Sequence, residues 1–207
     1  MLLLAGCSSN SPGQASASAG TVEVATSTDV YGDIVRVIGG DRVHVTPIIH
    51  SASQDPHSYQ ATTQDKLTVS KARILIENGG GYDDFFSSLA ADSTTGDQHV
   101  INVTKLSGLA PQTGTASPGA SGTPEFNEHL WYNFEAMTRI ADVLSGELAR
   151  VDPAGASSFA ANADRFKAKL GKLKERTAAL KAHRGGEAVA ITEPVPLYLL
   201  DAGQFPG

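Results

Sequence analysis

Three residues far apart in the chain have the side chains and the local setting to bind a divalent cation. His57 lies in Gln54-Asp55-Pro56-His57-Ser58-Tyr59, on a turn stiffened by proline after an apolar stretch. His129 lies in Asn127-Glu128-His129-Leu130-Trp131, just ahead of a helix signal. Glu193 ends the apolar run before Pro194, which holds it to extended geometry. Imidazole and carboxylate are good donors to first-row divalent ions, and protons compete with the metal at low pH. Each residue alone also fits a plainer role. His57 fits a surface turn, His129 a loop beside a half-buried aromatic, and Glu193 a solvated strand end. A site exists only if the fold brings the three together.

The other histidines are weaker candidates. His44 sits inside an apparent strand, and His50 at that strand's end is a minor candidate ligand. His99 and His183 fall at element ends, where solvation is expected. No CxxC, HExxH, EF-hand, P-loop or GxSxG pattern occurs, and Gly79-Gly80-Gly81 lacks dinucleotide spacing. No serine stands in a recognisable nucleophile setting, so binding is expected rather than catalysis.

The elements that must position these residues alternate in type. Val22–Thr26, Val43–Ile48, Arg73–Glu77 and Val100–Val103 read as strands, and Val30–Ile38, the stretch after Thr62 and Asp83–Ala91 as helices. Thr62 and Asp65 have capping-box spacing. Four strands alternating with helices predict an α/β lobe with a parallel sheet. His57 would then lie on the loop after a strand's C-terminal end, the edge where open α/β sheets bind ligands. Asn133 caps a first long helix with Phe134, Met137, Ala141, Leu144 and Leu148 on one face. Asp152-Pro153 is expected to cap a second, of roughly 30 residues and about 45 Å. Its apolar face would be Phe159, Phe166, Leu170, Leu173 and Leu180, with Gly185 ending it. Ala188–Thr192 reads as a further buried strand, and Leu197–Leu200 starts another helix.

Charge is unevenly spread. Residues 1–135 carry 14 acids against 6 bases, and the remainder 8 against 10. An acidic front half suits a cationic ligand and argues against nucleic acid, for which no basic aromatic patch exists. Cys7 is the one cysteine, so no internal disulfide can form. It follows Leu4-Ala5-Gly6 at the end of an apolar run that is short for a whole signal peptide, so the true start is expected upstream of Met1. This is similar to the lipoprotein processing box, which implies lipidation of Cys7. Ser8–Gly20 has the composition of a flexible tether, and 111–124 that of a mobile Gly/Ser/Thr/Pro loop.

Taken in order, Asp55-Pro56-His57-Ser58-Tyr59, His129-x-Trp131 and Thr192-Glu193, behind the cysteine box, resemble the zinc- and manganese-binding receptor lipoproteins of ABC transporters, the cluster A-I metal solute-binding proteins. Gly39-Gly40-Asp41-Arg42-Val43, Gln64-Asp65 and Asn78-Gly79 with Gly81 also match, so the likeness covers about residues 21 to 203. The resemblance implies a periplasmic binding protein-like fold of helical-backbone type. Its (β/α)4 N-terminal lobe and second α/β lobe are joined by one long rigid helix, with the metal between them. Carried over by position, it implies His57, His129 and Glu193 as ligands to Zn²⁺ or Mn²⁺. A fourth, late carboxylate has no counterpart here, so an incomplete second lobe is expected. The organisation implied is a leader and tether at 1–20, a metal-binding lobe at 21–152, a linker helix at 153–185 and the start of the second lobe at 186–207. The function implied is that of a monomeric receptor, lipid-anchored outside the cytoplasmic membrane, delivering its ion to an ABC permease. A surface adhesion lipoprotein with a vestigial site is the alternative.

Overall fold

A computed structural model describes residues 20–93, 96–109, 126–203 and 205. Cys7, the tether up to residue 19 and the loop at 111–124 lie outside the described residues. The chain opens with β1 (Val22–Thr28), α1 (Asp29–Gly39), β2 (Val43–Ile49), α2 (Thr63–Lys71), β3 (Ile74–Glu77), α3 (Asp84–Ser93), β4 (His99–Asn102) and the short α4 (Val103–Ser107). The long helices α5 (Phe134–Val151) and α6 (Ala156–Arg184) follow, then α7 (Leu197–Gly203).

The four strands form one parallel sheet in the order β2-β1-β3-β4. Period-2 alternation splits its side chains between two layers. Val22, Val24, Ile74 and Ile76 face α1, α5 and the first part of α6, where Tyr31, Val35, Ile140, Leu144, Leu148 and Phe159 close the larger core. Ala25 and Leu75 face the opposite layer with Val69, Phe86 and Leu89 of α2 and α3. The chain leaves β1 toward β2, then crosses back to β3 on the other side. That reversal is a topological switch point, and its crevice lies at the C-terminal ends of the strands.

Local signals explain most boundaries. Thr62 and Asp65 close a reciprocal capping box on α2. The Asn133 carboxamide oxygen accepts from Ala136 N at 2.9 Å and starts α5. Asp152 stands as the N-cap, with Pro153 first, of a turn that runs into α6 rather than of α6 itself. Pro153–Gly155 forms a 3-10 turn first, and the Asp152 carboxylate takes two bonds from Arg42, at 2.5 and 3.0 Å. This clip ties the α5–α6 junction to the entrance of β2. The apolar face of α6 is buried only toward its start. Phe159 is inaccessible, whereas Leu173 and Leu180 are 47% and 53% exposed.

The expected strand at Ala188–Thr192 is absent. The stretch is irregular and mostly exposed, after a turn in which Gly186 has φ 88°. A strand needs a neighbour to take its N–H and C=O groups, and no other strand pairs with this stretch among the described residues. His99 is likewise not simply solvated, because its Nδ1 lies 3.3 Å from Glu147 Oε2.

Candidate metal centre

Residues after β1, β2 and β3 close around one cavity of about 760 Å³ at the switch point. Thr28 and Asp29 come from the end of β1, His57 from the loop after β2, and Tyr82 from the loop after β3. Glu128 and His129 enter from the segment before α5, and Glu193 and Pro194 from the segment before α7. The fold therefore brings His57, His129 and Glu193 to one cavity. No three His, Cys, Asp or Glu side chains surround a single point as they stand, among the described residues. An ion would have to draw its donors together by side-chain rotation, for which the 49% exposed His57 has room.

The His57 turn is built by Asp55. One carboxylate oxygen accepts from His57 N at 3.1 Å and the other from Ser58 Oγ at 3.0 Å. This is the side-chain-closed turn that Asp favours. Two residues on, the Tyr59 hydroxyl donates to Asp65 in the α2 capping box at 3.0 Å, and its ring packs on Phe85. A helix cap thus also anchors the metal-side loop.

The loop after β3 needs its glycines. Gly79 and Gly80 have φ of 72° and 68°, and a Cβ on either would collide with Asn102 or Phe126. The turn is held from beneath by Asp83, fully buried, which accepts the N–H groups of Asn78 and Gly79 at 2.7 and 2.8 Å. Asn78 in turn accepts from the Tyr31 hydroxyl and donates to the carbonyl of Glu128 at 2.9 Å. A buried polar network therefore fixes the backbone that presents Glu128 and His129.

His129 is oriented by a neighbour. Asn127 Oδ1 lies 2.7 Å from His129 Nδ1 and also accepts its backbone N–H at 3.1 Å. An amide oxygen can only accept, so Nδ1 carries the proton and Nε2 keeps a free lone pair. The ring is 11% exposed, and burial, with some help from His57, pushes its pKa below the ordinary value despite Glu128 and Glu193. A neutral imidazole at neutral pH is a ready metal donor. Tyr82 stacks edge-on to both histidines, its centroid 5.2 Å from His57 and 5.9 Å from His129. Its hydroxyl is pushed up to about 12, first by burial and then by Asp83, Asp55, Glu128 and Asp29. Four acids, Asp29, Asp55, Glu128 and Glu193, line the cavity, and among the described residues no Lys or Arg does. That field favours a cation.

Glu193 arrives differently. It is exposed, on irregular backbone, and its segment is tied to the first side by Asn127 Nδ2, which donates to Pro194 O at 3.1 Å. The Tyr198 hydroxyl adds a bond to Asn127 O at 2.7 Å. Asn127 and Glu128 are the participants that the sequence reading passed over. The signal was there in Asn127-Glu128-His129, two polar residues of chelating and hydrogen-bonding type directly ahead of the histidine.

A family model described as zinc-uptake complex component A, periplasmic, matches residues 24–207. The manganese-binding lipoprotein MntA of Halalkalibacterium halodurans is 26% identical over 174 residues, covering 84% of this chain and 54% of the relative. The metal ABC transporter substrate-binding lipoprotein FimA of Streptococcus parasanguinis is 25% identical over 185 residues, covering 84% and 56%. The chain thus spans about half the length of these curated relatives. Among solved structures, the periplasmic zinc binding protein TroA from Treponema pallidum superposes with a TM-score of 0.70 at 20% identity, covering 90% of this chain and 65% of that one. At that identity the likeness speaks for the fold alone.

Proposed function

The chain belongs to the family of periplasmic zinc-uptake component A proteins, and from that premise we propose that it is an extracytoplasmic receptor that captures Zn²⁺ or Mn²⁺ and hands it to an ABC permease. The observation that carries this reading is the shared cavity. His57 and His129 meet there on the C-terminal edge of a parallel sheet, with an acid-lined wall and no Lys or Arg among the described residues. His57, His129 and Glu193 are the proposed ligands, with His129 Nε2 freed for the metal by Asn127. In this reading residues 21–152 are the metal-binding lobe, 153–185 the linking helix, and 186–207 the segment that carries Glu193 to the cavity. Cys7 is the proposed lipid attachment point outside the cytoplasmic membrane. The cargo is bound and released without bond-breaking chemistry.

The test is a titration of the purified chain with Zn²⁺ and Mn²⁺ in competition with a chromophoric chelator. Binding of at least one ion with micromolar or tighter affinity is expected, weakening as the pH falls through the histidine range. No binding of either ion at micromolar concentrations defeats the reading.

A further inference from the structure

Glu128 occupies a position that the capture function above does not use. Its carboxylate is 20% exposed and lies 3.5 Å from His57 Nε2 and 4.0 Å from His129 Nδ1, the nitrogen that Asn127 holds, so that His129 would meet a shared ion through Nε2. We propose that Glu128 is itself a metal ligand, so that His57, Glu128 and His129 form a three-donor platform on one wall of the cavity, with Glu193 approaching from the other. This rests on the metal-capture reading and deepens it.

Three observations support the assignment. The 3.5 Å gap to His57 is long for a good hydrogen bond. It matches the separation, about 3.4 Å, that an imidazole nitrogen and a carboxylate oxygen keep when both bind one tetrahedral ion at 2.0–2.2 Å. Second, the carboxylate faces a cavity with three other acids, Asp29, Asp55 and Glu193, and with no Lys or Arg among the described residues to pair with it. Third, the aim of the side chain is set by its backbone. The Glu128 carbonyl accepts from Asn78 Nδ2 at 2.9 Å and from Leu130 N at 2.7 Å. Held at that carbonyl, Glu128 stands with its carboxylate beside His57, and the three donors, His129 by its Nε2, would come together on the ion by side-chain rotation. Two neutral imidazoles and one carboxylate leave a bound divalent ion with net charge +1, which Glu193 can neutralise.

Glu128→Gln in the full chain tests this, because it keeps the shape and both backbone bonds while removing the anionic donor. Zinc affinity is read by chelator competition, and the zinc coordination shell by X-ray absorption. Far-UV circular dichroism without metal confirms the fold, and Glu128→Asp, with a shorter reach, serves as a second variant. The expected result is zinc binding weakened at least about tenfold, with one oxygen donor lost from the shell. Unchanged affinity in Glu128→Gln while His57→Ala binds weakly overturns the assignment and leaves the capture function standing. Weaker binding with an unchanged shell also overturns it, placing Glu128 outside the coordination sphere. If neither variant alters binding, Glu128 and His57 both fall as ligands, and the ion is held elsewhere.

Discussion

The two walls of the cavity are built to different standards. On one wall, His57 and His129 sit on loops fixed by a capping box, an Asp-closed turn and the buried Asp83–Asn78 network. On the other, Glu193 stands on exposed irregular backbone, tied across by the Asn127–Pro194 and Tyr198–Asn127 bonds. α6 shows the same gradient along its length, from inaccessible Phe159 to Leu180 with half its surface open. Regular structure satisfies its own backbone and buries a face, so it can hold a donor still. An irregular segment holding few such bonds can move toward an ion and away again. The proposed capture and release of an ion would use both walls.

Core truncation on α6 is expected to show the largest contrast. Phe159→Ala removes a fully buried ring from the larger core and should cost about 3–5 kcal/mol of unfolding free energy. Leu180→Ala, on the open part of the same helix, should stay within about 0.5 kcal/mol. Urea unfolding measures both, and equal costs would show that the far end of α6 is packed in solution. Next in size is the ligand contrast. His57→Ala should weaken zinc binding at least about 100-fold, equivalent to about 2.7 kcal/mol. Glu193→Ala should cost clearly less, because its segment must be ordered at the expense of binding free energy. Calorimetry of the two variants decides it, and a larger loss for Glu193→Ala would reverse the ranking of the walls.

How far the sequence revealed this division depends on the range of the signal. The Thr62–Asp65 box, the Asn133 cap and the apolar run of β3 are local patterns, and the structure forms each where the residues place it. Asp152 and Ala188–Thr192 depend on partners distant in sequence. The Asp152 carboxylate is shared between the turn it caps and Arg42, 110 residues earlier in the chain. Residues 188–192 have strand composition and lack a neighbouring strand among the described residues. Glu128 was hidden by geometry. In a strand, neighbours 128 and 129 would face opposite ways. Here the 3-10 turn Leu130–Tyr132 and the bond from Asn78 bring both side chains to one cavity.

The smallest expected effect falls on the residue that joins the two walls. Asn127 uses its oxygen to fix His129 and its amide nitrogen to hold Pro194 O. Asn127→Ala loses both bonds and should weaken zinc binding by about tenfold, or about 1.4 kcal/mol, as loss of an outer partner of a metal-bound histidine typically does. Asn127→Asp separates the two functions. Its carboxylate still accepts from His129 Nδ1–H, but it presents a second acceptor to the Pro194 carbonyl, and the tie across the cavity fails. The Nδ1-protonated tautomer of His129, read from ¹⁵N chemical shifts of the metal-free protein, should therefore survive in Asn127→Asp and be lost in Asn127→Ala. Amide exchange over 187–193 should quicken in both. Slow exchange retained in Asn127→Asp would mean that Tyr198 alone holds the second wall. The contrast between the walls would then rest on the packing of α7 against α6 rather than on one carboxamide.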